Sequence, residues 1–154
     1  MAITLKIGDK APSFTGPDQD GNKISLEDFK GKKLVLYFFG EAGSPTCTIE
    51  SCNLRDNYSA LRKAGFEVVG VSPDKGKAQK KFETKYKLPF RLIADTDHSI
   101  LEKYGAWDQK KLFGHEYMGV LRTTFVIDEK GVIQNIFLKP KNKAHAEEIL
   151  ESIM

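Results

Sequence analysis

The segment Lys33 to Phe39, KLVLYFF, constrains this chain more than any other. After its first residue it is apolar at every position. A strand with one face in water alternates apolar and polar residues, so a strand without alternation must be covered on both faces. Such strands belong to sheets packed between helices, and the rest of the chain fits that pattern. Glu67 to Ser72 (EVVGVS) and Arg91 to Ala94 (RLIA) read as two further core strands. Thr46 to Ala64 reads as a helix carrying Ile49, Cys52, Tyr58 and Leu61, with Gly65 at its C-terminal cap. Lys75 to Tyr86 reads as a second helix, after Ser72-Pro73-Asp74. His98 to Tyr104 is a short helix ending at Gly105, and Lys143 to Met154 is a last one with Ala146, Ile149, Leu150 and Ile153 on one face. Thr123 to Ile127 and Val132 to Leu138 flank Asp128-Glu129-Lys130-Gly131 as a hairpin. Asp20-Gly21-Asn22 turns between two short extended pieces within Phe14 to Ser25, an N-terminal hairpin. The predicted class is α/β, a mixed central sheet flanked by helices.

The length of 154 residues suits one domain, 1–154, and neither an internal repeat nor a linker-like stretch divides it. A hydrophobic content of 40% excludes intrinsic disorder. The longest strongly apolar run, Leu34 to Phe39, is too short to span a membrane as a helix. The opening MAITLKIGDKAPSF lacks the apolar stretch of a signal peptide, so a cytoplasmic location is expected. A net charge of +3, from 24 Lys+Arg against 21 Asp+Glu, does not imply nucleic acid. The lysines of Lys75 to Lys87 lack interleaved arginines and stacking aromatics, and read as a solvated helix face. Only Arg55, Arg62, Arg91 and Arg122 are arginines, which makes each a separate question.

The chemically informative stretch is Phe38 to Asp56, FFGEAGSPTCTIESCNLRD. A buried strand ends, a short loop follows, and Ser44-Pro45-Thr46-Cys47 opens a helix. Ser44 fits the N-cap and Pro45 the first helical position. Cys47 then lies in the first turn, where backbone N–H groups lack intrahelical acceptors and the helix dipole favours a thiolate. An ordinary thiol is only about 3% ionised near neutral pH. A helix terminus supplies about 0.3–1 kcal/mol, or about 2 when partly buried, which is less than a strong nucleophile needs. A cation should help, and Arg122, in the apolar setting Val120-Leu121-Arg122-Thr123-Thr124-Phe125, is the candidate.

Cys52 follows Cys47 by five residues. On an intact helix that is about 7.5 Å along the axis and about 140° around it, beyond disulfide reach without backbone movement. Cys52 is therefore either a small core residue or a second thiol that meets Cys47 once the helix start unwinds. Two cysteines are too few to staple a domain, and in a cytosolic chain a pair points to catalysis, redox chemistry or metal. Zinc fits poorly, because His98, His115 and His145 are scattered and the cysteine spacing matches no usual ligand pattern. No metal or other cofactor is expected.

Gly8-Asp9-Lys10-Ala11-Pro12-Ser13-Phe14, Leu34 to Phe39, the Cys47/Cys52 pair with Glu50 between, Arg55-Asp56, Gly70-Val71-Ser72-Pro73-Asp74, Leu88-Pro89-Phe90, Tyr104-Gly105-Ala106-Trp107 and Arg122 to Asp128 follow one another along the chain. In combination and order, these stretches resemble the peroxiredoxins, most closely the bacterioferritin-comigratory or Q-type subfamily. The resemblance covers nearly the whole chain. It implies a thioredoxin-like fold and thiol-dependent reduction of hydrogen peroxide and organic hydroperoxides. Cys47 takes the peroxidatic position, Cys52 a resolving position, and Arg122 that of the arginine that stabilises the thiolate and polarises the peroxide. Ser44 stands where the family usually has Thr. Glu50 is a candidate to orient Arg122, and Phe39 and Trp107 are candidates to line the peroxide pocket, with a packing role equally open for Trp107. The implied partners are a peroxide and a thioredoxin-like dithiol reductant, with no nucleic acid or membrane, in a monomer or weak dimer.

Three residues depart from the family pattern: Gly40 replaces a usual Pro, Thr46 a common Gly, and Gln79 a frequent His. Gly40 and Gly43 give the loop before Cys47 freedom to absorb a conformational change. Two other functions remain at this level: a thioredoxin-like disulfide reductase, disfavoured by C-x₄-C spacing and by Arg122-Thr123-Thr124 where thioredoxins have a Pro, and a redox sensor that oxidises without turnover.

Overall fold

A computed structural model describes residues 5–40, 42, 44–112, 114–138, 140–141 and 143–152, and the backbone alone at 109–112 and 115–117. Five strands form the central sheet. The first to enter it is Lys33–Phe38, the third strand of the chain, after the short strands β1 (Thr15–Pro17) and β2 (Lys23–Ser25). This strand, β3, pairs in parallel with β4 (Phe66–Ser72), and β4 in parallel with β5 (Arg91–Ala94). The two further strands of the sheet, β8 (Thr123–Ile127) and β9 (Ile133–Phe137), follow a separate hairpin, β6 (Trp107–Leu112) with β7 (His115–Val120). β8 pairs antiparallel with β3 and with β9, giving the order β5-β4-β3-β8-β9.

Consecutive residues of β3 point to opposite faces, and both faces are dry, as an unbroken apolar run requires. Leu34, Leu36 and Phe38 join a core with Phe14, Ile100, Tyr104 and Phe125. Val35, Tyr37 and Phe39 join another with Cys47, Leu54, Phe82 and Ile149. The second core is roofed by α1 (Pro45–Asp56), α2 (Tyr58–Lys63), α3 (Gly76–Tyr86) and, from the other end of the chain, α5 (His145–Ser152). The short α4 (Ser99–Lys103) covers the first core. Gly70 of β4 makes this packing fit. A Cβ there would sit 2.8 Å from Leu92, 2.9 Å from the Tyr37 ring and 3.0 Å from the Phe39 ring.

The structure differs from the sequence reading in three places. The helix predicted over Thr46 to Ala64 breaks at Asn57, whose side-chain Nδ2 donates to the Asn53 carbonyl at 2.9 Å and competes with the helix ladder. The inward face of α1 is Cys47, Glu50, Ser51 and Leu54, a regular i, i+3, i+4, i+7 stripe, whereas Ile49 is 40% exposed. An apolar count misses that stripe because two of its four members are polar. Thirdly, the β6–β7 hairpin has no strong apolar alternation, and Gly114, with φ of +81°, is the local mark of its turn.

Candidate active site

The N-terminus of α1 lies just beyond the C-terminal end of β3, where α/β sheets place their ligand sites. Ser44 is the N-cap residue in extended conformation, φ −65° and ψ 148°, and Pro45 is the first helical residue. The Ser44 hydroxyl makes no capping hydrogen bond, while its carbonyl accepts the Thr48 N–H at 2.9 Å. The N–H groups of Thr46 and Cys47 precede the first possible intrahelical acceptor, so positive backbone dipoles gather around Cys47. Cys47 is buried and Cys52 half-buried, and both are free thiols on one continuous helix.

The loop ahead of the helix is tied to β4. Asp74 Oδ2 accepts the Ala42 N–H at 2.8 Å and the Ser72 hydroxyl at 2.8 Å, and Gln79 Nε2 donates to Ser72 Oγ at 2.9 Å and to the Ile93 carbonyl at 2.7 Å. Gln79, in a place where the family often has His, is thus a buried strut. A Cβ at Gly40 would approach nothing closer than 4.0 Å, so no steric demand selects glycine there. Gly43 lies outside the described residues.

One turn after Cys47 on the same face, Glu50 is 1% exposed and meets Arg122, whose Nη2 lies 3.2 Å from Glu50 Oε1. Arg122 comes from the segment between β7 and β8 and keeps 25% of its side chain in solvent. Burial pushes the Glu50 carboxyl up from its ordinary range, and His145 and then Arg122 oppose that shift. A carboxylate so placed fixes the guanidinium on the inward side of the helix start. Tyr37 stands beneath the same helix: its hydroxyl is 2.9 Å from Ser51 Oγ, and burial holds its pKa well above the usual phenol value.

Of the residues singled out from sequence, Cys47, Glu50 and Cys52 share α1, Arg122 reaches Glu50, and Ser44 precedes them at the cap. Phe39 lies in the same core as Cys47, stacked on Tyr37 at 5.5 Å and tilted against Phe82 at 6.0 Å. Trp107 opens β6. It packs against the core that Phe38 joins and stacks on His98 at 3.9 Å.

Three residues of this assembly escaped sequence reading. His145, at the start of α5, lies 3.7 Å from Glu50. Asn53 accepts the Ala146 N–H at 2.8 Å and donates to the Lys143 carbonyl at 3.0 Å, so α1 caps the N-terminus of α5. Tyr37 looked like one more apolar residue of β3. The only local hint was His145 with Glu148 three residues later, a spacing that pairs side chains on a helix.

A model of the AhpC/TSA family matches residues 7–136. The chain belongs to that family, the peroxiredoxins. It is 45% identical over 148 residues to a putative peroxiredoxin bcp of Coxiella burnetii, covering 96% of this chain and 98% of that one. It is 42% identical to peroxiredoxin Bcp of Escherichia coli K12, over 95% of this chain and 94% of the other. Among solved structures, peroxidoxin BcpB of Mycobacterium tuberculosis superposes with a TM-score of 0.85 at 30% identity, over 97% of this chain and 96% of that one. The bacterioferritin comigratory protein of Xanthomonas campestris, whose structure was studied for its alkyl peroxide reduction activity, gives 0.85 at 26% identity, over 91% and 89%. The thioredoxin-like fold and the Bcp or Q type expected from the resemblance are thereby established, and with them thiol-dependent peroxidase activity.

Proposed function

We propose that this peroxiredoxin is a single domain, 1–154, in which Cys47 attacks the peroxide and Cys52 resolves the product. The observation that carries the reading is the placement of Cys47 in the uncapped first turn of α1, one turn before the buried Glu50, on the same helix face, which pairs with the part-exposed Arg122. The Cys47 thiolate attacks one oxygen of the O–O bond. The bond breaks, the leaving oxygen takes a proton as water or an alcohol, and Cys47 becomes a sulfenic acid. The Cys52 thiol then displaces water from that sulfur and forms a disulfide. A dithiol of the thioredoxin kind reduces it by exchange and is itself oxidised to a disulfide. Arg122 offers a planar set of donors to the peroxide oxygens, and the Ser44 hydroxyl, left free by the helix cap, is available to the same oxygens. Organic hydroperoxides are included on the strength of the X. campestris relative. No helix among the described residues is long and apolar enough to cross a membrane, and we place the protein in the cytoplasm as a monomer or weak dimer.

Mass spectrometry of the reduced chain after one equivalent of hydrogen peroxide tests the reading. A Cys47–Cys52 disulfide is the expected product, with a sulfenic acid on Cys47 when Cys52 is replaced by Ser. A chain with both thiols unchanged would refute it. Steady-state consumption with a thioredoxin system separates turnover from the single oxidation of a sensor.

A further inference from the structure

His145 opens α5 and is fully buried, yet the peroxide chemistry above makes no use of it. Its ring faces polar groups from three elements. Nδ1 lies 2.6 Å from Glu148 Oε1 on its own helix. Nε2 lies 2.7 Å from Thr124 Oγ1 on β8 and 3.7 Å from Glu50 Oε2 on α1. Phe137 of β9 stands edge-on to the ring, with centroids 5.5 Å apart, and helps close the site. The remaining titratable groups nearby are Arg122, on the other oxygen of Glu50, and Tyr37, Cys47 and Cys52 around the inner side of α1. With the ring protonated, the row Arg122, Glu50, His145, Glu148 alternates in sign, the arrangement in which buried charges are tolerated.

Resting on the roles given above to Cys47 and Arg122, we propose that His145 is a positioning residue of the peroxide-reducing site: its ring, 3.7 Å from one oxygen of Glu50 with no hydrogen bond between them, backs that carboxylate electrostatically, so that the other oxygen can hold Arg122 at the start of α1. His145 itself touches neither peroxide nor sulfur. Its effect passes through Glu50, which grips a guanidinium only while ionised. Burial drives Glu50 toward its protonated form, and His145 and Arg122 both oppose this. Without the imidazole, Glu50 takes up its proton at higher pH, and Arg122 loses its anchor there.

The test is the pH profile of kcat/KM for hydrogen peroxide in His145→Gln. Glutamine keeps hydrogen-bonding capacity toward Thr124 and Glu148 but carries no charge. The acid limb should move to higher pH while the rate on the alkaline side is retained. A loss of equal size at every pH, or a profile identical to the parent, would overturn the proposal. If the variant does not fold, NMR on the reduced parent chain decides: the Glu50 carboxyl carbon and the His145 ring should share an inflection as pH changes, and independent titration of the two would refute the coupling. The NMR measurement does not depend on turnover. A parent chain that consumes no peroxide defeats the functional reading, while an active parent with an unmoved limb in the variant defeats only the role of His145.

Discussion

The two halves of α1 are held in different ways, although one helix carries both cysteines. The first half, around Cys47, opens on Pro45 with no side-chain cap and has Ile49 40% exposed. Its inward residues are Cys47, packed in the core, and Glu50, paired with Arg122 at 3.2 Å and facing His145 at 3.7 Å. The second half, around Cys52, is pinned at several independent points. Ser51 meets the buried Tyr37 hydroxyl, Asn53 caps α5, and Arg55 Nη1 donates to the Tyr86 carbonyl at 2.8 Å. Asn57 closes the end with its bond to the Asn53 carbonyl. The contrast indicates where the helix gives way. A Cys47–Cys52 bond needs the backbone between them to move, and the half with fewer anchors is the one that carries Cys47.

The sharpest way to break this comparison is to remove each sulfur in turn. Cys47→Ser should reduce peroxide turnover to the uncatalysed background. Cys52→Ser should still consume one equivalent and then stall or over-oxidise, unless an external thiol resolves it. Stopped-flow consumption with thiol counting distinguishes the two, and turnover in Cys47→Ser above a trace would reverse the assignment of roles. Next in size is Arg122→Lys, which keeps the charge but loses the planar fork that Glu50 holds. The second-order rate with peroxide should fall about 10- to 100-fold, equivalent to about 1.4–2.7 kcal/mol of barrier. A rate equal to the parent's would remove Arg122 from the mechanism.

Amide exchange across Thr46 to Asp56 sharpens the same contrast. Exchange should be slow in the reduced chain and fast in the disulfide form, with the larger change before Ser51. Equal protection in both redox states, or a disulfide inside an undistorted helix, would sink the unwinding argument. Asn53→Ala is the smaller probe of the pinned half. It leaves the Ala146 N–H without its acceptor and should cost about 1–3 kcal/mol in denaturant unfolding. Disulfide formation should become faster as the second half loosens, and a slower rate would show that these anchors do not restrain the motion. The least effect is expected from Tyr37→Phe, which removes the hydroxyl facing Ser51 and should cost about 1 kcal/mol by the same measurement.

Much of this was legible from local pattern. The unbroken apolar run of β3 required two covered faces, and both faces are core. Ser44-Pro45 marked the start of α1 to the residue, because proline at the first helical position and a small polar residue before it are local backbone chemistry. The five strands of the sheet and their neighbouring helices followed from period and punctuation. What failed has a common cause. Ile49 is apolar yet exposed, while the buried stripe holds Glu50 and Ser51, whose burial depends on partners from other elements. Trp107 packs on the core that Phe38 joins, a placement its local sequence does not show.

Sequence by itself therefore determined the fold class, the family, the place of Cys47 in a first helical turn and the candidacy of Arg122. These rest on short-range rules: residue period, helix-start chemistry and motif order. Tertiary structure alone decided that Arg122 meets Glu50, that Asn53 caps α5, and that His145 stands behind the carboxylate. Those contacts join residues from distant parts of the chain. A polar side chain carries no local sign of which distant group will satisfy it once water is excluded, so only the packed core selects its partner.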